Sequence, residues 1–550
     1  MMLSVDQVHN IIEETSGVLV VESFNYCENG SLKGRILTDT TEGVDGLVWD
    51  VEIRPSYPFR TMNIEPIVFS NRSLLDYPHI MEAGNLCMHP ADHEDATTQF
   101  AHDLEQLKEW VQRYYVDGEK DEHYEHLVVN HQPIKNDYYT FCFAETDSDF
   151  DDGDYGIVNY VMMLQGRRHD NRVINGLVKG FISHKQFKER KITCKISPAF
   201  NQLVPCDGVY CLLKNPPATH NKFIIKKYGE LASLMTQPQI DFLHTFEENH
   251  KGDTGFFPLF CGYRIPGGEI HWQALILFMN NLPIDACRTG TGSYREWHTK
   301  FKDGFIEWAQ TENVSYKYFF GRGAMNEELS EKKVLVMGIG AVGSMVAETL
   351  TRCGAKTITL YDFDNKEPGN VCRSEYHFYS GITEKTSELE GKLTQISPHL
   401  VCDSLVPFVD CIIKAGNNAP EEIQEHLNEF DIIFDCTTDN QLMRVLDKAG
   451  LSSRIVNLSI TNHAQDLVCA ISPNITETVL LVYSLLGRNA ETDLYNPTGC
   501  WNPTFKASYN DIGCKVQFAM KHIMQMLGGQ EPMSSFYVSE DDLNLTLHRI

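Results

Sequence analysis

The stretch from residue 334 to Lys385 constrains this chain more than any other. It opens KKVLVMGIGAVGSMVAETLTRCGAKTITLYDFD and continues NKEPGNVCRSEYHFYSGITEK. Residues 334–337 read as a buried strand that runs into Gly338, Gly340 and Gly343, with a helical run at 344–352 behind them. Glycines suit that place because the turn is tight and the backbone must come close to a phosphate at the helix N-terminus. A second strand, 357–361, ends at Asp362, placed to hydrogen-bond ribose hydroxyls. The pattern predicts an α/β nucleotide site.

Several nucleotide-binding classes share that strand, turn and helix, so the residues after Asp362 discriminate better. Asp364, Asn370, Arg373 and Lys385 put two cations and an amide there instead of an apolar lining. Cations suit a triphosphate, whose pyrophosphate leaving group needs its charge offset. The alternative makes Arg373 and Lys385 solvated charges on a helix face.

These residues resemble the ThiF, MoeB and ubiquitin-activating enzymes, which adenylate the C-terminal carboxylate of a small protein. The family pattern is a glycine-rich turn, D-x-D at the end of strand two, N-x-x-R, a lysine, and a D-N pair after a later strand. Here these are Asp362 and Asp364, Asn370 with Arg373, Lys385, and the run from Asp435 to Asn440. The resemblance implies ATP and Mg2+, with Asp439 as the magnesium-linked carboxylate. The spelling DCTTDN is one residue longer than the family's DCTDN and keeps Asp435 as a rival. Arg322, in YKYFFGRGAM, resembles an arginine that reaches the partner's ATP in a homodimer; a plain interdomain arginine is the other reading.

At 550 residues the chain is too long for one core and predicts three to four domains. A net charge of -28 opposes a broad nucleic-acid or anionic-membrane surface, because both are bound through clustered lysine and arginine. The opening MMLSVDQVHNIIEE shows neither cationic leader nor apolar core, and no apolar run reaches membrane-spanning length, the nearest being 478–486. A cytoplasmic location is expected. Sixteen scattered cysteines read as reduced thiols, and without any C-x-x-C no structural zinc is expected.

Toward the N-terminus, a helix over 2–14 precedes strands at 17–26, 32–37, 47–53 and 67–69. A Tyr57-Pro58-Phe59 corner, Pro78-His79, and Gly84-Asn85-Leu86-Cys87 follow; then a helix carries Phe100, Leu104, Leu107, Val111 and Tyr114, with Trp110 beside that stripe. This order resembles the ubiquitin-conjugating enzyme fold, and Cys87 then looks like its thioester cysteine. The family's H-P-N tripeptide is missing, which leaves Asn85 or His79 as the oxyanion donor. In the bland reading Cys87 is a small core residue; the glycine turn and polar neighbours oppose it.

The run ETDSDFDDGD at 145–154 predicts a linker or exposed loop. Between 155 and 315 the expectation is strands at 158–164, 208–213 and 271–278, a helix near 239–247, and structural histidines at His184, His220 and His271. Beyond Asp439, a helix is expected at 442–449, strands at 455–459, 468–471 and 479–483, and a helix from Asp511. Cys500, in NPTGCWNPTF, must lie in a loop and is the candidate activating-domain nucleophile; Cys514 is its competitor.

The fold class expected is a multidomain α/β and α+β chain. A ubiquitin-conjugating-like α+β domain occupies 1–140, a linker domain 141–315, and a ThiF-type Rossmann-like adenylation domain 316–550. The order resembles fusion enzymes of CBASS anti-phage operons. It implies adenylation of a protein C-terminus, thioesters on Cys500 and then Cys87, and ligation to a target lysine. The resemblance alone implies a cGAS-like CD-NTase as the protein carried; a ubiquitin-like modifier fits equally. A nicotinamide-dependent oxidoreductase and a catalytically dead scaffold are the readings from other classes.

Overall fold

The computed structural model describes residues 3–40, 45–62, 64–88, 93–120, 127, 129, 131–185, 189–289, 296–405, 419–486, 494–495 and 504–550. Two compact units share the chain. One holds Met1–Gln132, Asp152–Tyr155 and Val209–Ala309; the other holds Pro133–Asp151, Gly156–Gly208 and Gln310–Ile550. The span 141–315 contributes to both.

In the first unit a capping box starts the Val5–Glu14 helix: Ser4 Oγ accepts from the Gln7 N–H, and Gln7 Oε1 accepts from the Ser4 N–H at 2.8 Å. Val8 and Ile12 face inward from it. Strands Val18–Tyr26, Leu32–Thr38, Leu47–Ile53 and Ile67–Ser70 follow as an antiparallel meander. Leu47, Trp49, Val51 and Ile53 are all buried, the period-two pattern of a sheet with one face on a core. The Ala96–Trp110 helix, capped by Asp95, lays Phe100, Leu104 and Leu107 into the same core.

Trp110 is not beside that stripe but in the core, against Trp49 at a centroid distance of 5.5 Å. Its burial is possible because Nε1 donates to the Pro78 carbonyl at 3.0 Å. The helix then widens into a π turn over Val111–Val116, which breaks the spacing that the sequence pattern assumed.

Within Val209–Ala309, strands Phe256–Arg264 and Ile270–Phe278 pair antiparallel, and helices Tyr228–Leu234 and Gln237–Asn249 precede them. The Phe256–Arg264 strand gives no alternating signal because its residues from Phe257 to Tyr263 are all buried.

In the second unit Asp137–Phe143 runs parallel to Asn171–Ser183 and to Gln310–Asn313. The acidic run is a loop with Asp147, Ser148, Asp149 and Asp152 exposed, as expected, but it is an anchored one. Phe150 is buried edge-on against Phe181 at 5.0 Å, Asp147 Oδ1 accepts from the Thr193 N–H at 3.0 Å, and Asp151 pairs with Arg190 at 3.2 Å. Its carboxylates serve as local acceptors, so its composition resembles disorder while its backbone is fixed.

The larger sheet of this unit has the order Val401–Ser404, Thr357–Tyr361, Lys333–Met337, Ile432–Asp435, Arg454–Thr461, Asp466–Ile471, Phe536–Asp541, Asn544–Arg549. The first five strands are parallel and the last pairings antiparallel. Val334 to Met337 and Ile432 to Asp435 are buried throughout, as central parallel strands covered on both faces must be. From Lys333–Met337 the chain moves outward to Thr357–Tyr361 and Val401–Ser404, then returns to Ile432–Asp435 on the other side. That reversal opens a crevice at the strand C-termini.

Residues 479–483, expected as a strand, belong to the Ile475–Leu486 helix, whose Val479 and Val482 pack inward at helical spacing. A β-rich apolar run can be either, and here the packing of its inner face decides. Among the described residues no helix is long and apolar enough to cross a membrane.

Candidate active site

At the crevice the glycine turn is built from three different needs. Gly338 has φ +74 and lies so close to Thr437 that an added Cβ would meet its Cα at 2.5 Å. Gly343 lets the Ala341–Arg352 helix approach the turn, because a Cβ there would meet the Gly338 carbonyl oxygen at 2.2 Å. A Cβ added at Gly340 would meet no other described residue within 4 Å, its chain neighbours and the helix's own backbone aside. Gly340 caps the helix, and no side chain caps it. Its first-turn N–H groups are without a side-chain cap, and the positive end of its dipole suits an anion.

Asp362 holds this turn in place. Its Oδ2 accepts from the Ile339 N–H at 3.0 Å, and its Oδ1 accepts from the Asp364 N–H at 2.9 Å. The Tyr376 hydroxyl donates to the Ile339 carbonyl, so both backbone polar groups of Ile339 are clamped. Lys385 opens the Lys385–Ile396 helix and brings Nζ to 2.8 Å from Asp364 Oδ2 and 3.5 Å from Asp362 Oδ1. Asp362, Asp364 and Lys385 thus form one charged group at the turn. Burial, with the nearby charges of Asp362, Glu388 and Asp364, pushes the Tyr376 hydroxyl well above its ordinary range.

Asn370 ends a short 3-10 turn and spends its Oδ1 on the Glu367 N–H at 2.8 Å. Arg373 follows, half-buried, its N–H donating to the Asn370 carbonyl at 3.2 Å. Arg322 is exposed on the turn after the Tyr316–Phe320 helix. Cys500 lies outside the described residues. Cys514 is exposed on the Tyr509–Leu527 helix.

The two carboxylates of DCTTDN have different jobs. Asp435 is 1% exposed; Oδ1 accepts from the Thr437 N–H and hydroxyl at 3.1 and 2.6 Å, and Oδ2 accepts from Asn457 Nδ2 at 2.8 Å. Burial raises its pKa against those hydrogen bonds. Asp439 is exposed and caps the Asn440–Lys448 helix through Oδ1, which accepts from Gln441 and Leu442 N–H at 2.7 and 3.2 Å. Oδ2 takes no part in this cap. The extra threonine of this loop is accommodated by Thr438, whose φ of 56° is left-handed.

Sequence reasoning missed the support beneath the 366–388 segment. Lys366 is 1% exposed; it pairs with Glu388 at 2.5 Å and donates to the His377 carbonyl and Ser380 Oγ at 2.6 and 2.7 Å. Lys392 joins Glu375 and Glu348 at 2.7 and 2.6 Å. No spacing signal marks either group, since the partners come from separate elements.

In the other unit, Cys87 is exposed. Its N–H donates to the His79 carbonyl at 2.7 Å across a small hairpin bridged at Ile80 and Leu86. Gly84 closes that hairpin with φ +88, where a Cβ would meet the Arg72 backbone at 3.0 Å. The Tyr57 corner is tied to the long helix: its hydroxyl donates to Asp103 Oδ2 at 2.7 Å, and Gln99 Nε2 donates to Oδ1 at 2.7 Å. Burial pushes the Asp103 carboxyl up to about 6 against these hydrogen bonds.

Residues 313–465 match the model of the ThiF family. Among curated relatives, the chain is 25% identical over 289 residues to the ATP-dependent ubiquitin transferase-like protein Cap2 of Enterobacter hormaechei subsp. hoffmannii, covering 50% of this chain and 47% of that one. It is 28% identical over 123 residues to molybdopterin-synthase adenylyltransferase of Haemophilus influenzae, 22% and 47% of the two chains. With ubiquitin-like modifier-activating enzyme 5 of Dictyostelium discoideum it shares 27% over 152 residues, 26% and 40%. The chain thus spans less than half the length of these relatives. The glycine turn, Asp362, Asp364, Lys385 and Asp439 all fall inside the stretch of the second unit that matches the ThiF family model.

Proposed function

We propose that this protein is an ATP-dependent protein-conjugating enzyme. It adenylates the C-terminal carboxylate of a protein, carries the acyl group as thioesters on Cys500 and then Cys87, and ligates it to a target lysine. The observation that carries this reading is the uncapped Ala341–Arg352 helix at the crevice, with Lys385 beside the turn and Asp439 across it on the neighbouring strand's loop.

The first step needs an anion cradle and offset charge. The helix N-terminus receives phosphate, and Lys385 with Arg373 counters the charge that builds as pyrophosphate leaves. Asp362 and Asp364 keep Lys385 at the turn, and Asp362 holds Ile339 so that the loop does not reorganise. Magnesium fits Asp439 better than Asp435, because both Asp435 oxygens are already taken within the fold while Asp439 offers an exposed one. One carboxylate with phosphates and water is an ordinary magnesium set, and bound there the ion would add further charge compensation.

The thiol steps conserve the acyl group's reactivity. The Cys500 thiolate displaces AMP, and Cys87 takes the acyl group by exchange before an amine does. Both cysteines on one polypeptide raise their effective concentration. Residues 1–140 act as the conjugating-like domain, 141–315 as the linker domain and 316–550 as the adenylation domain. The working form is a homodimer in which Arg322 reaches the partner's ATP. The resemblance to CBASS fusion enzymes and the similarity to Cap2 favour a CD-NTase C-terminus as the carried group, in cytoplasmic anti-phage defence; a ubiquitin-like modifier is the alternative substrate.

The test is exchange of labelled pyrophosphate into ATP in the presence of a candidate protein, followed by a non-reducing gel. Exchange, with an ATP-dependent, thiol-sensitive adduct lost in Cys500→Ala, supports the relay. Nicotinamide binding without exchange would instead identify an oxidoreductase, and absence of ATP turnover with the cognate protein a dead scaffold.

A further inference from the structure

His79 is held in an unusual backbone state next to Cys87. Its φ is 59°. A histidine in the left-handed region is held there by its surroundings. Trp110 Nε1 donates to the Pro78 carbonyl at 3.0 Å, Lys222 Nζ donates to the Tyr77 carbonyl, and the Tyr114 hydroxyl lies 3.1 Å from His79 Nε2. The rings of His79 and Tyr114 are 5.1 Å apart.

The backbone pairing sets His79 opposite Cys87. The Ile80–Leu86 bridge and the Cys87 N–H to His79 carbonyl bond set the two residues opposite each other, where facing Cα atoms are ~5 Å apart. An acyl transfer from Cys87 to an amine requires that a proton leave nitrogen, and a lysine ammonium does not give it up readily at neutral pH. Imidazole is the side chain suited to take it.

We propose that His79, oriented by Tyr114, is the proton acceptor for acyl transfer from Cys87; this rests on the reading of Cys87 as the thioester cysteine. His79 first takes the ammonium proton and releases it to solvent, leaving a neutral amine. The amine nitrogen attacks the thioester carbonyl carbon and forms the C–N bond; its second proton passes to His79 Nδ1, the C–S bond breaks, and the Cys87 thiolate recovers that proton from the imidazolium. The products are an amide, a thiol and the one proton released to solvent. Tyr114 is a positioning residue.

The charged neighbours are themselves paired. Arg113 lies over the Tyr114 ring at 5.1 Å and pairs with Glu119 at 2.7 Å. On the far side of the turn Asp76 pairs with His220 at 2.9 Å, and Glu82 pairs with Lys226. Tyr77 and Tyr115 pack alongside, 5.4 Å apart.

The decisive variant is His79→Asn. Asparagine tolerates a left-handed backbone and can donate to an oxyanion, but it cannot take up a proton at neutral pH. In the 550-residue protein, the pH profile of iodoacetamide alkylation at Cys87, read by mass spectrometry of its peptide, should change in His79→Asn. In Tyr114→Phe the profile should shift from that of the wild type. Identical profiles in wild type and His79→Asn would overturn the proposal. With phenyl thioacetate as acyl donor and free L-lysine as acceptor, discharge of acetyl-Cys87 should slow on the order of 100-fold in His79→Asn. Unchanged discharge would show a donor role only and overturn it equally. Neither assay uses ATP or a protein substrate, so their failure leaves the adenylation reading standing, and absent pyrophosphate exchange leaves this one.

Discussion

At the scale of single residues, burial separates chemically identical groups. Asp435→Ala leaves Asn457 and Thr437 without their buried acceptor and should cost about 1–3 kcal/mol by denaturant unfolding. Asp439→Ala removes only a helix cap, about 1 kcal/mol, yet should abolish magnesium-dependent pyrophosphate exchange. If Asp435→Asn alone abolished exchange at unchanged stability, the assignment of magnesium would reverse. Asp103 makes a pH prediction. Its carboxyl titrates at about 6 when folded against 3.8 otherwise, so the folded state binds the extra proton between those values. Its contribution is fully present below the unfolded value and is lost as pH rises through about 6, an order of 3 kcal/mol in all. Asp103→Asn should flatten that part of the stability curve, measured as Tm against pH.

At the scale of elements, the glycine turn shows that a motif can hide three separate constraints. Gly340→Ala meets no atom and should change stability by about 1 kcal/mol or less, while weakening ATP binding tenfold or more by blocking the phosphate's approach. Gly343→Ala drives a Cβ into the Gly338 carbonyl and should destabilise the unit by about 1–3 kcal/mol or more before ATP is considered. Calorimetric ATP titration beside thermal unfolding distinguishes the two. The elements themselves were legible where one periodicity dominated: strands at Leu47–Ile53 and Thr357–Tyr361 appear where the pattern puts them. The Ile475–Leu486 helix was misread because an apolar run of β-branched and leucine residues carries no period until a neighbour covers one face.

At the scale of the whole molecule, the proposed chemistry divides between the two units, since the ATP crevice and Cys87 belong to different ones. Cys87→Ser should therefore leave pyrophosphate exchange at the wild-type rate while ending lysine ligation, as followed by denaturing gel; loss of exchange in this variant would tie activation to Cys87 and refute the relay as drawn. What the amino-acid order alone determined is local: the glycine fingerprint with its D-x-D, the meander, and a cysteine two residues beyond a Gly-Asn pair, each written within a few turns of backbone. Tertiary structure decided what depends on distant partners. Asp435 is a structural carboxylate because Asn457, on another strand, satisfies it. His79 is fixed beside Cys87 because Tyr114, Trp110 and Lys222 converge on its turn from remote positions. Such roles follow from which groups burial brings together, and no window of sequence contains that information.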